Sequence, residues 1–243
     1  FTAIPEHAWL AKSMFDYDIL GFQTSTDAAN FVRYVVEHAD GEALSDDRVR
    51  AFGKTVIARA FPIGIDPDSV YEMAHTPEAD AHMARLQRRS MANMFVLGVD
   101  RLDYTKGLPG RMRAFKRLLE LHPELMKRVT LMQIAPPTRE EVEAYTDIRQ
   151  ELEGLSGSIN GEFGDFDWTP VRYIHRAIPR ATLSALFRAS QVGLVTPLRD
   201  GMNLVAKEYV ASQDPENPGV LVLSKFAGAA EDLQEAIIVN PYD

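Results

Sequence analysis

Arg101 and Lys106 lie in Gly98-Val99-Asp100-Arg101-Leu102-Asp103-Tyr104-Thr105-Lys106-Gly107-Leu108, which follows an apolar run over residues 94–99 and leads into a helical pattern. In open parallel sheets ligands bind in the crevice beyond the carboxyl ends of the strands. An arginine and a lysine held there on a short loop with glycines suit a phosphorylated ligand. Further expected strand ends carry Pro136-Pro137-Thr138-Arg139, then Pro197-Leu198-Arg199-Asp200-Gly201-Met202-Asn203, then Lys225-Phe226-Ala227-Gly228-Ala229-Ala230, and all are expected to converge on one rim. Gly201, ahead of a helix expected over 202–212, frees the backbone to approach a ligand. The first-turn amides of Leu204 and Val205 would face an anion with the helix dipole behind them, a geometry that fits a diphosphate. Glu208 lies roughly two turns beyond Asp200 on about the same face, so the two carboxylates suit sugar hydroxyls at separated points.

Taken singly, each feature has a plainer reading. A cation after a strand is more often solvated or ion-paired at the surface, Asp200 could simply cap a helix, and Glu208 could make an exposed pair. Convergence changes this, because a purely structural sheet has no need for glycine, cation and carboxylate on the ligand side of four strand ends. Other patterns carry less. Asp16-Tyr17-Asp18, Asp66-Pro67-Asp68 and Asp165-Phe166-Asp167 spell the D-x-D of metal-dependent glycosyl transfer, but a chain this rich in Asp produces such triplets by chance. The six His show no H-E-x-x-H or i, i+4 pair, so no metal site and no cofactor is expected, and His175 reads as a structural histidine. P-loop and nucleophile-elbow motifs are absent, and Trp168 reads as packing near a strand start.

The elements that must position these residues follow from pattern. Residues 5–15 read as a helix, 19–23 as a short strand, and Thr24-Ser25-Thr26-Asp27 caps a helix over 28–38. Residues 41–50 read as polar connection and 56–61 as a strand, ending in Pro62-Ile63-Gly64-Ile65-Asp66-Pro67, the expected boundary. Helices are expected over 68–74 and 77–91. Strands over 94–99, 129–135, 171–174, 192–196 and 220–224 then alternate with helices, with 236–239 strand-like at the end. The fold class is α/β, with a doubly wound parallel sheet in the second half.

Composition is that of a globular protein: 243 residues, 46% hydrophobic and 25% charged. The net charge of −9 leaves no chain-wide attraction for nucleic acid or an anionic membrane, so neither is an expected partner. With no Cys there is no disulfide, thiolate metal site or cysteine nucleophile, which is compatible with a reducing compartment. No membrane-spanning run or signal-peptide pattern is visible, and the expected location is cytoplasmic. The chain opens at Phe1 inside an amphipathic segment and stops just after 236–239, so it is expected to be a piece of a longer protein.

Long colinear motifs then carry a resemblance. They are Val99-Asp100-Arg101-Leu102-Asp103-Tyr104-Thr105-Lys106-Gly107, Gln133-Ile134-Ala135-Pro136, Gly193 through Tyr209 and Leu223-Ser224-Lys225-Phe226-Ala227-Gly228-Ala229-Ala230. With Asp16-Tyr17-Asp18-Ile19-Leu20-Gly21-Phe22-Gln23-Thr24 and Pro62-Ile63-Gly64-Ile65, they resemble the trehalose-6-phosphate synthase family over essentially the whole chain. The resemblance implies a metal-independent, retaining GT-B glycosyltransferase built from two Rossmann-like domains. Such enzymes move glucose from UDP-glucose, or another nucleotide-glucose, to glucose 6-phosphate. It also implies an organisation: 1–66 as the end of the acceptor-side domain, 67–92 as a helical interdomain connection, and 93–243 as the nucleotide-sugar domain without its carboxyl end.

By the same resemblance Arg101 and Lys106 hold the diphosphate and stabilise the leaving group, which metal-free transfer must leave to cations and amides. Asp200 binds donor-glucose hydroxyls, the backbone of Gly201, Met202, Asn203, Leu204 and Val205 lines sugar and diphosphate, and Glu208 binds the ribose. Arg139 matches an arginine that binds the phosphate of glucose 6-phosphate. Ile178 falls where a backbone contact to the base is made, although other members carry an aromatic residue there. Retention is expected from front-face attack within an ion pair, with Asp200 in a double displacement as the alternative. The family's glycine-rich loop, its acceptor-binding Arg, Tyr and Trp, a His near the anomeric centre and a returning carboxyl-terminal helix are not in this sequence, so the chain alone is expected to turn over poorly. Two rivals stand beside this reading: a GT-B transferase with the same donor and another acceptor, and a catalytically silent synthase-like binding module. A homo-oligomer of the full-length protein is a further partner to consider.

Overall fold

Thr24 shows how local sequence sets the first elements: its hydroxyl accepts from the Asp27 amide at 3.0 Å and starts α2 (Ser25–His38), after α1 (His7–Met14) and β1 (Ile19–Phe22). The structure is a computed structural model describing residues 2–88, 94–137 and 143–243. It divides into two units, Phe1–Ile63 and Gly64–Asp243. In the first, β1 pairs in parallel with β4 (Lys54–Ala60), and the sheet continues antiparallel through β3 (Arg48–Ala51) to β2 (Glu42–Ala43). Residues 41–50 are therefore not mere connection as expected. Val49 and Ala51 are buried while Arg48 and Arg50 are exposed, the alternation of a half-buried strand, in a segment otherwise polar enough to hide it. The β3–β4 hairpin turns through Phe52 and Gly53, both left-handed (φ 53° and 74°), the two-residue connection that suits strand twist. Phe15, Phe31, Val35, Val49 and Val56 form its core.

The second unit opens with α3 (Pro67–Ala74), capped by Asp66, and α4 (Pro77–Arg88). Then come β5 (Met94–Val99), α5 (Leu108–Leu121), β6 (Val129–Ile134), α6 (Glu143–Phe163), β7 (Val171–Ile174), α7 (Arg180–Ala189), β8 (Val192–Val195), α8 (Leu204–Ala211), β9 (Val220–Ser224) and β10 (Ile237–Val239). The six strands are all parallel in the order β10-β9-β8-β5-β6-β7. Apolar side chains leave both faces of β5 and β6. One set packs with Leu108, Met112, Phe115, Leu152 and Trp168, the other with Phe187, Met202, Tyr209 and Leu223. Burial on both faces explains why these strands read as continuous apolar runs rather than alternating ones. This is a doubly wound, Rossmann-like parallel sheet. From β5 the chain winds outward through β6 to β7 and then crosses back to β8, so the winding reverses between β5 and β8. A crevice beyond the ends of those two strands is where such sheets bind ligands.

α3 and α4 pack against α7, and α3 also against α8, so both belong to the second unit. Trp168 is buried, its indole N–H donating to the Val129 carbonyl and the Thr130 hydroxyl. The aspartates of the D-x-D triplets go to a helix cap (Asp66), to an ion pair with Lys54 (Asp16) and to Lys127 (Asp165 and Asp167). No helix among the described residues is long and apolar enough to cross a membrane.

Candidate functional site

The loop after β5 turns once as a short 3-10 helix, Tyr104–Lys106, because the Asp103 carboxylate accepts from both the amide and the hydroxyl of Thr105 at 2.9 Å. Gly107 then takes a left-handed conformation (φ 66°) and starts α5. A side chain there would come within 3.0 Å of the Thr196 carbonyl, so only glycine lets the β5 and β8 loops approach this closely. The Thr105 carbonyl accepts from the amides of Leu198 (2.8 Å) and Arg199 (3.3 Å), stitching the two loops together across the winding reversal.

Lys106 and Asp200, 94 positions apart in sequence, meet there, with Nζ 2.5 Å from Oδ2 and side chains only 14% and 16% exposed. Asn203 Nδ2 donates to the same carboxylate oxygen at 2.9 Å. Arg101, by contrast, is exposed and makes no hydrogen bond or ion pair among the described residues, a cation left facing solvent beside the crevice.

The expected helix over 202–212 begins later, at Leu204. The left-handed residue of this loop is Asn203 (φ 72°), whose Oδ1 caps the helix by accepting from the Ala206 amide at 3.2 Å. Asparagine tolerates this region better than other residues with side chains, and its short amide reaches both the helix end and Asp200. Ahead of that cap, no group among the described residues accepts from the amides of Leu204 and Val205, the donors a diphosphate would use.

The rest of the rim is placed unevenly. Glu208, on α8, is half-buried, and burial pushes its carboxyl above the ordinary range against the pull of Arg180 at 3.7 Å. Ile178 is half-buried between β7 and Pro179, the residue that caps α7, and packs on the core shared with α8. Arg139 lies outside the described residues. The loop after β9 braces the Asp200 loop: Gly228 N donates to the Asp200 carbonyl, Ala229 N to that of Met202, and Asp200 N to that of Phe226. His175 is structural, its Nδ1 donating to the Ala135 carbonyl at 2.8 Å.

Sequence reasoning missed the layer beneath. Arg111, on the apolar face of α5 between Leu108 and Met112, has a fully buried guanidinium. Its Nη1 donates to Asp100 Oδ2 (2.7 Å) and Gln133 Oε1 (2.9 Å), and its Nε to Thr196 Oγ1 (3.1 Å). Gln133 Nε2 in turn donates to the Gly98 and Ile134 carbonyls. Burial raises the Asp100 carboxyl from its ordinary value even with Arg111 beside it and the Lys106 charge close by. An arginine at an apolar helical position, 11 residues after a strand-end Asp, was the available signal.

The second unit thus gathers cations, carboxylates and helix-end amides at the winding reversal of a parallel sheet. The model of glycosyltransferase family 20 matches residues 1–243, the entire chain. The chain belongs to this family. As a family 20 sequence it is 49% identical over 243 residues to the trehalose-6-phosphate synthase of Klebsiella pneumoniae, covering all of this chain and 51% of that protein. It therefore spans about half the length of the curated relatives it matches. Among solved structures, the Burkholderia xenovorans alpha,alpha-trehalose-phosphate synthase (UDP-forming) in complex with glucose-6-phosphate superposes with a TM-score of 0.96 at 51% identity, over 100% of this chain and 54% of that one. A structure from E. coli bound with UDP-2-fluoro glucose superposes with a TM-score of 0.93 at 46% identity, again over 100% of this chain and 54% of that one.

Proposed function

We propose that this family 20 chain belongs to a retaining glucosyltransferase that moves glucose from UDP-glucose to glucose 6-phosphate, giving alpha,alpha-trehalose 6-phosphate and UDP. The observation that carries the reading is the Lys106–Asp200 pair at 2.5 Å across the crevice, with Arg101 free beside it. The relatives support it: one is named for UDP formation and bound to glucose-6-phosphate, another holds a UDP-glucose analogue, and a third comes from work on glycosyltransfer with retention in trehalose-6-phosphate synthase. In this reading residues 93–243 are the donor domain, 67–92 the helical connection and 1–66 the end of the acceptor-side domain. Both substrates are charged metabolites that do not cross bilayers unaided, which fits the cytoplasmic location read from the sequence.

Each residue then has a task. Arg101 and Lys106 draw the diphosphate in and neutralise the charge that grows on it as the anomeric C–O bond breaks, helped by the amides of Leu204 and Val205. Asp200 accepts from donor-glucose hydroxyls, with the backbone from Gly201 to Val205 around the sugar. Glu208 accepts from the ribose, Ile178 offers backbone to the base, and Arg139 binds the acceptor phosphate. An attacking acceptor hydroxyl forms the new bond on the face the leaving group vacates and passes its proton to the departing phosphate oxygen. Asp200 suits sugar binding better than nucleophilic attack, because Lys106 and Asn203 both donate to the same oxygen of its carboxylate and damp its nucleophilicity.

The test is UDP release by the full-length protein from UDP-glucose, with and without glucose 6-phosphate, with the product's anomeric configuration read by NMR. Acceptor-dependent release of UDP with an α,α-linked product, lost in Arg101→Ala, is the expected result. Turnover only with another acceptor would favour a sibling transferase. UDP binding without turnover would favour a silent module.

A further inference from the structure

We propose that Arg111 is a positioning residue for transfer: its buried guanidinium fixes the β5 and β8 ends against each other and so holds Lys106 and Asp200 in reacting register. The inference rests on the reading that Lys106 and Asp200 handle the donor. It goes beyond that reading, because Arg111 lines no crevice and its side chain is fully buried.

The argument is geometric. α5 starts directly after the loop that carries Lys106, and the Arg111 amide donates to the Gly107 carbonyl at the pivot of that loop. From this helix a single planar fork reaches Asp100, which follows β5, Gln133 on β6, and Thr196, which follows β8 and leads to Asp200. Asp100 and Thr196 stand on opposite sides of the winding reversal, and among the described side chains Arg111 is the one that bonds to both. Gly98 shows the fit is close, since a Cβ there would sit 2.5 Å from both Arg111 Nη1 and Gln133 Oε1. Lysine keeps the charge beside Asp100 but, with a single nitrogen, cannot also span to Thr196. A misplacement of about 1 Å between reacting groups can cost roughly a hundredfold in rate.

The experiment compares Arg111→Lys and Thr196→Val with wild type in the full-length protein, below their unfolding temperatures. It measures kcat, KM for both substrates and UDP affinity, with Lys106→Met as a reference. The expected result is a kcat loss of about 10–100-fold in Arg111→Lys and several-fold in Thr196→Val, with KM and UDP affinity within about threefold of wild type. A residue that only stabilises the fold would leave kcat unchanged at these temperatures. An unchanged kcat, or a loss of UDP affinity as large as the loss in kcat, overturns the proposal. If Arg111→Lys does not fold, Thr196→Val decides by the same criterion, since it removes one acceptor and preserves shape. An inactive wild type, or a Lys106→Met as active as wild type, would bring down the functional reading and the proposal together. A disabled Lys106→Met beside unimpaired Arg111→Lys and Thr196→Val would bring down the proposal alone.

Discussion

One chemical change, glycine to alanine, should have opposite signs at two places in the second unit. At Gly98, a Cβ would lie 2.5 Å from Arg111 Nη1, 2.5 Å from Gln133 Oε1 and 3.2 Å from Gln133 Cδ. None of these atoms is a loose end. Nη1 is held by Asp100 at 2.7 Å, and both side chains are buried. Overpacking a filled interior costs about 1–3 kcal/mol, and prising the guanidinium from its carboxylate forfeits a charge-assisted hydrogen bond worth about 1.5–3 kcal/mol. Together these put Gly98→Ala at about 3–5 kcal/mol of destabilisation. Gly157, inside α6, has nothing within 4 Å of its Cβ position. There the methyl group only restricts the unfolded chain, and Gly157→Ala should stabilise by about 0.5–1 kcal/mol. Urea unfolding followed by tryptophan emission separates them cleanly: Trp168 is 3% exposed in this unit, while Trp9, in the other, is already 67% exposed and changes little. A Gly98→Ala variant within 1 kcal/mol of wild type would mean that the Arg111 network yields easily, and the reasoning built on its rigidity would fail.

Asn203 combines a left-handed backbone with two side-chain hydrogen bonds, so Asn203→Gly should keep most of the stability. Asn203→Ala should lose about 1–3 kcal/mol from the cap and the strained φ, and both should weaken donor-sugar binding by freeing Asp200, as thermal melts and UDP-glucose titration would show. Glu208 makes a prediction about pH. Burial raises its folded pKa above the ordinary 4.5, so the folded state holds the proton more tightly than the unfolded chain. Its stabilising contribution is therefore full below 4.5 and lost as pH rises through the raised folded value. Glu208→Gln should flatten that slope and be slightly more stable at neutral pH. It should also weaken UDP binding about tenfold and remove the acid-side decline in affinity expected of wild type as the carboxylate protonates.

What could be read from sequence follows from how each element is buried. β5 and β6 lie between two layers of side chains, so their apolar runs stood out. β3 has one buried face and only Val49 and Ala51 to mark it, flanked by arginines and aspartates, and a four-residue alternation among polar neighbours falls below what pattern can resolve. Helix ends moved for a local reason too. Gly201 is the obvious breaker before α8, yet the chain turns at Asn203, because the asparagine amide compensates the left-handed φ with a cap and a bond to Asp200 that glycine cannot make.

The candidate site divides along the same line. The residues proposed to meet the donor, Arg101, Lys106, Asp200 and Glu208, stand out by type and place at strand and helix ends. The residues that align them do not, because a buried arginine among leucines looks like an interruption until its partners are seen. Arg111 reaches Asp100 across 11 positions, Gln133 across 22 and Thr196 across 85, and no local window contains all three. A charge placed on an apolar stripe costs several kcal/mol unless it is paired, and here Nε and Nη1 are bonded while Nη2 is buried without a partner among the described residues. The arginine's presence one turn after a cationic loop was therefore a statement that partners exist. Those partners lie at the neighbouring strand ends: Asp100 after β5, Gln133 on β6 and Thr196 after β8. On the proposed reading the winding reversal admits the donor, and the guanidinium beneath it, bonded to Asp100 on one side and Thr196 on the other, keeps the two strand ends in register.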